Sequence, residues 1–138
     1  MLKCASPKRL QREKQILQKF ESHACIRQLL DYAEDPPCLV LEHLQEDVLR
    51  SATKAPISRQ NIKTIARSIL SALESLHANG IIHTGDRLLR LTFSKEASAD
   101  VNCKQDVKPD NILLNYDQEG TKVVEAKLAD YGKTLETF

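Results

Sequence analysis

One run of apolar residues at helical spacing fixes much of what this chain can become. Ile62, Ile65, Ala66, Ile69, Leu70, Leu73 and Leu76 recur three and four residues apart, which winds them onto one side of an α-helix. Ser58 stands where a side-chain oxygen can accept from the first free N–H groups of that helix. Asn79-Gly80 marks its end, because this pair adopts most readily the conformation that closes a helix. The patterns on either side are mixed. Leu10, Ile16, Leu17 and Phe20, set among Lys, Arg, Gln and Glu, predict a polar helix over 7–20 with one narrow buried side. Residues 26–32 and 38–44 read as two strands joined across Asp35-Pro36-Pro37, with Leu39-Val40-Leu41 fully buried. Residues 45–55 are polar and carry no pattern. Ile112-Leu113-Leu114 and Ala126-Lys127-Leu128-Ala129 read as a hairpin closed by a polar loop through Gly120. Helices and short strands that occupy separate stretches of chain give an α+β class.

Composition excludes several kinds of function. Twenty Lys and Arg against nineteen Asp and Glu leave a net charge of +1, without the basic excess of a nucleic-acid binder. Cys4, Cys25, Cys38 and Cys103 are scattered and form no Cys-x-x-Cys pair, so neither a disulfide framework nor a zinc cage follows. They are expected as reduced thiols in a cytoplasmic or nuclear chain. No apolar run reaches the length of a membrane span or a signal core, so no membrane partner is expected.

The chemistry-bearing residues lie in one short region. Asp106-Val107-Lys108-Pro109-Asp110-Asn111 is followed, nineteen residues after Asn111, by Asp130-Tyr131-Gly132. Phosphoryl transfer asks for few parts: a carboxylate to orient the attacking hydroxyl, a lysine near the moving phosphate, and an Asn and an Asp as oxygen ligands for Mg²⁺. Asp106, Lys108, Asn111 and Asp130 match those four parts in order. Singly each motif arises by chance, and Glu13 alone would be an ordinary solvated helix charge.

Taken in order, the motifs resemble the eukaryotic protein kinase family. Arg12-Glu13-Lys14-Gln15-Ile16-Leu17 is similar to that family's helix whose glutamate pairs with the ATP-orienting lysine, which makes Glu13 the candidate partner. His23 to Leu30 resembles the loop and strand that follow, and Cys38 to Leu44 the strand entering the hinge. The resemblance implies that the hinge backbone from Glu42 to Leu44 bonds adenine, with side-chain identity of little account there, and that Leu41 backs the adenine pocket. Leu73 to His83 is similar to the helix and turn before the catalytic loop. Lys108 implies serine or threonine specificity, hence protein substrates with Ser or Thr and ATP and Mg²⁺ as cofactors. Thr84, where many kinases carry Arg, is similar to the SR-protein-kinase branch and argues against switching by a phosphate on the activation segment. Tyr131 would pack beside Leu17 and Leu29 with His83 below it. The fold implied is a partial kinase domain: 1–44 a remnant of the β-rich lobe and the hinge, 45–138 the start of the helical lobe.

Two departures from the family pattern stand out. His83-Thr84 is separated from Asp106 by the twenty-one residues from Gly85 to Gln105, whose removal restores His83-Thr84-Asp106-Val107-Lys108-Pro109-Asp110-Asn111 without a seam. A loop insertion and a retained intron both explain the stretch, and the intron is the preferred reading: GGT for Gly85 and CAA for Gln105 would give in-frame splice borders. A third view takes Arg87 to Leu91 as an amphipathic partner-binding turn. The second departure is at the start, where no Gly-rich loop precedes Glu13 and Lys3 is the one candidate for the ATP-binding lysine, an ordinary N-terminal lysine being the alternative. Weak or no activity is therefore expected of the 138 residues as they stand. A nucleotide-binding pseudokinase scaffold and a truncated gene product without activity are the rival readings.

Overall fold

In the computed structural model, residues 1–83 and 107–136 are described, with side chains to residue 134. The interrupting stretch 85–105, the partner-binding turn proposed within it, and Asp106 lie outside the described residues.

The first unit is a three-stranded antiparallel sheet in the order β1-β3-β2, made of β1 (Leu2–Lys3), β2 (Leu29–Glu34) and β3 (Pro37–Leu41), with helix α1 (Pro7–Lys19) against β3 and β2. Pro at the first helical position starts α1, because its missing N–H has no partner there in any case. Leu10, Glu13, Ile16 and Leu17 form the buried side of α1. β2 starts three residues later than the sequence pattern suggested, with Ile26 outside it in an isolated parallel bridge to Leu128, whereas β3 ends at Leu41, three residues earlier than expected. Burial in β3 alternates: Leu39 and Leu41 are enclosed and Val40 only partly. The expectation that all three would be buried is corrected by the pleat, which sends alternate side chains to opposite faces of a sheet covered on one side.

The second unit is built on α3 (Arg59–Ala78). Ser58 accepts from the Asn61 N–H, and Gly80 takes φ +68° just past the Asn79 cap, so both predicted ends are in place. Asn61, Ile65, Ile69, Ala72 and Leu76 face inward, while Ile62 and Leu70 remain exposed. The hairpin of β6 (Ile112–Tyr116) and β7 (Val123–Leu128) packs its β7 face on α3. Asn61 ties the two together, donating to Thr121 O at 2.9 Å and accepting from Val123 N at 3.0 Å.

The patternless 45–55 stretch holds β4 (Glu46–Asp47), paired with β6, and the short helix α2 (Val48–Lys54), capped by Asp47. Periodicity missed them because a strand of two residues and a seven-residue helix are too short to establish a period. β5 (Ile81–Ile82) pairs with β8 (Leu135–Glu136). A single core runs through both units, from Leu10, Ile16 and Leu17 past Ile26 and Leu41 to Leu76, Leu114, Leu128 and Tyr131. Cys4, Cys25 and Cys38 are free thiols. Among the described residues, no helix is long and apolar enough to cross a membrane.

Candidate functional site

Lys3 gathers one end of the site. Its Nζ lies 2.7 Å from Glu13 Oε2, 3.0 Å from Glu13 Oε1 and 2.8 Å from Asp130 Oδ1. Three segments far apart in sequence thus meet on one ammonium: β1, the buried side of α1, and the turn after β7. Glu13 is 2% exposed, and a carboxylate so placed must be paired, because losing hydration without a counter-charge is costly. The turn is drawn up against α1: a Cβ on Gly132 would stand 3.5 Å from Arg9 Cβ and 3.6 Å from Glu13 Oε2. Asp130 itself has φ +64°, a conformation uncommon outside glycine and tolerated best by Asp and Asn. Burial pushes its carboxyl up, but the hydrogen bond and charge of Lys3, with His83 and Lys133 behind, outweigh that and hold it below the ordinary carboxylate range.

Beneath this cluster, Ala129 joins the two sides of the interruption. Its carbonyl meets His83 Nε2 at 2.9 Å, so Nε2 carries the proton, and its N–H donates to Asn111 O at 2.9 Å. Asn111 closes the 3-10 turn Pro109–Asn111, which puts it on backbone bonded directly beside Asp130. Lys108, just before that turn, is exposed. Tyr131 is fully enclosed, edge-on to His83 at 5.3 Å between ring centres, and its hydroxyl donates to Leu128 O at 2.9 Å. Burial pushes the phenol pKa well above its ordinary value, with Glu13 and Cys25 adding to the rise, so this hydroxyl is a structural donor.

The other end of the site is the segment after β3. Leu41 is fully buried and exchanges two backbone bonds with Met1, whose amino terminus donates to Leu41 O at 2.7 Å and whose carbonyl accepts from Leu41 N at 2.8 Å. This ties the segment to the strand that carries Lys3. Leu44 is buried as well. The Glu42 side chain is not incidental, as the resemblance implied it would be. Its carboxylate accepts from Lys127 Nζ at 2.7 and 2.9 Å and from Gln28 N at 3.1 Å, fastening the segment to β7 and to the residue just before β2. Burial pulls the Lys127 pKa down, but Glu42 and Glu125 more than offset this and leave it raised. The Glu42 carbonyl is occupied by Arg27, through Nε at 2.9 Å and Nη2 at 2.7 Å. Sequence reasoning missed Arg27. Its only signal was a cation inside the apolar run that begins at Ile26.

The structure therefore brings Lys3, Glu13 and Asp130 into contact, joins Asn111 to them through Ala129, and links Leu41, Glu42 and Leu44 to the same strand through Met1. The acidic and amide oxygens of Asp130 and Asn111 suit a hard divalent cation.

Comparison with known proteins adds the family context. The protein kinase domain family matches residues 2–85. Cyclin-dependent kinase 4 of Mus musculus and that of Rattus norvegicus are each 34% identical over 97 residues, a span covering 68% of this chain and 23% of the relative. The chain thus spans about a quarter of the length of these curated relatives. Among solved structures, the crystal structure of Rad53 kinase domain and SCD2 aligns with a TM-score of 0.69 and 25% identity, covering 98% of this chain and 44% of that chain. The α+β class read from the sequence is the class of the structure, and the architecture matches a kinase domain.

Proposed function

This chain belongs to the protein kinase family, and from that premise we propose that it carries the phosphoryl-transfer centre of a serine/threonine kinase, acting on protein substrates with ATP and Mg²⁺. The observation that carries this reading is the meeting of Glu13 and Asp130 on Lys3. In this reading Lys3, steadied by Glu13, holds the non-transferred phosphates, and the backbone of residues 42–44 faces the base. Asp106 aligns the substrate hydroxyl and takes its proton as the oxygen attacks the γ-phosphorus. The bond to the bridging oxygen breaks, ADP leaves with the electron pair, and Lys108 offsets charge on the phosphoryl group in passage. Asn111 and Asp130 would hold Mg²⁺, which when bound neutralises phosphate charge. Asp130 is ready for that task, since it is already ionised and exchanges one cationic partner for another.

Division of the chain into an upper remnant over 1–44 and a helical part from 45 onward fits this reading, because Leu41 to Leu44 then forms the crossing between them. The stretch from Gly85 to Gln105 is, we propose, absent from the functional protein. His83 before the interruption and Asn111, six residues after it, are both bonded to Ala129, so the two flanking segments come back to one residue. Without the stretch, the six residues Thr84 and Asp106 to Asp110 remain to connect them, with a reach of roughly 20 Å when extended. That is ample. The family match also ends at residue 85, where the stretch begins.

The test is transfer of phosphate from ATP to a serine-rich peptide by the chain lacking Gly85–Gln105. Mg²⁺-dependent transfer that disappears on Asp130→Ala is the expected result. Transfer indifferent to Asp130→Ala would reject the assignment.

A further inference from the structure

The hinge carbonyl of Glu42 is already taken, and the way it is taken is unusual. Gln28 and Glu42 stand opposite each other just beyond the Leu29–Leu41 pair, at the open end of β2 and β3, and Glu42 N donates to Gln28 O at 3.0 Å. An antiparallel pair of this kind normally exchanges both bonds. Here the return bond is diverted: Gln28 N donates to the Glu42 carboxylate at 3.1 Å, and the released carbonyl receives both Nε and Nη2 of Arg27. Two donors fill the two lone pairs of that oxygen. Lys127 fixes the diverted carboxylate, so the exchange is held from the far side.

The position of the guanidinium gives this contact its meaning. Arg27 Nη2 also lies 3.3 Å from Met1 Sδ, on the residue that leads into Leu2–Lys3. The group therefore bridges the hinge and the strand bearing Lys3, between the two ends of the site. It is 7% exposed, and Glu13 and Glu42 both act on its charge. A guanidinium cannot shed its proton to ease burial, so leaving the carbonyl would strand an unpaired cation.

We propose that Arg27 fills the hinge end of the site by occupying the Glu42 carbonyl in place of a base's amino group, so that this chain binds nucleotide through ribose and phosphates without reading the amino group of adenine. This rests on the nucleotide reading above. Arg27 offers only donors, and the 6-amino group of adenine is itself a donor, so the two cannot satisfy one another.

The experiment compares Mg²⁺-ATP with its 6-deamino analogue, purine riboside triphosphate, on the 138-residue chain and on Arg27→Met, which keeps side-chain length without the donors. The native chain should bind the two within about twofold, whereas Arg27→Met should bind ATP about 5–10-fold more tightly than the analogue, the worth of one hydrogen bond. A native chain that already prefers ATP by about tenfold overturns the proposal, whether or not the variant folds. So does folded Arg27→Met with no preference. If the native chain binds neither nucleotide, the nucleotide reading falls and this inference with it, whereas equal preferences in both proteins remove the inference alone.

Discussion

The two ends of the site solve the same problem, a buried charge, in opposite ways. At the Lys3 end the charges are left accessible: Lys3 and Asp130 have side-chain exposures of 24% and 43%, and only Glu13 is enclosed. At the Glu42 end they are locked: Arg27 and the Lys127 side chain are each 7% exposed and both bonded to Glu42, Lys127 pairing with Glu125 as well. An accessible cluster can trade partners with a ligand, whereas a locked one keeps its geometry. On the proposed reading, the contrast means that the phosphate end is open to exchange while the base end is filled from within.

Several changes should break or sharpen that contrast. The largest effect is expected from deleting Gly85–Gln105, which should raise peptide phosphorylation by about 100-fold or more, since small misplacements of catalytic groups cost factors of that order. A deletion variant no faster than the unaltered chain would remove the interruption from the account. Next is Lys3→Met, which leaves Glu13 enclosed without its counter-charge and should lower unfolding stability by about 3 kcal/mol in denaturant titration. Lys127→Met should cost less, about 1–2 kcal/mol, because the Glu42 carboxylate is 26% exposed and keeps the Gln28 N–H. Equal losses at the two lysines would abolish the distinction between the ends.

The smallest effect is a pH dependence. The folded-state pKa of Asp130 lies below its unfolded value, so the unfolded chain binds the extra proton as pH falls. The stability this group contributes is therefore complete above the unfolded carboxylate pKa of about 3.9 and is lost as pH drops through the folded value. Acid titration should show that loss in the native chain and not in Asp130→Asn. Its size is limited because the carboxylate is 43% exposed and screened by water.

The same contrast explains what could be read in advance. At the open end side-chain type leaves a mark, so Asn111 and Asp130 are candidates by residue type, Glu13 through the order of the motifs, and Lys3 only beside the alternative of an ordinary N-terminal lysine. At the locked end the backbone carries the chemistry. A carbonyl leaves no mark on the sequence, and the diversion of Gln28 N to the Glu42 carboxylate depends on tertiary pairing with Lys127, eighty-five residues away. Arg27 is therefore, on the sequence alone, no more than a cation within an apolar run. Fold legibility followed the same rule: α3 announced itself by cap, period and terminal Asn79-Gly80, whereas β1, β4 and β5 exist only because partner strands hold two-residue segments in place.

The most direct test of the central claim is ADP affinity with and without Mg²⁺, measured on the unaltered chain and on Asp130→Ala. If the accessible cluster is a magnesium-nucleotide site, Mg²⁺ tightens ADP binding to the unaltered chain and leaves Asp130→Ala unchanged. Binding that ignores Mg²⁺ in the unaltered chain, or an equal Mg²⁺ response in both proteins, would contradict it.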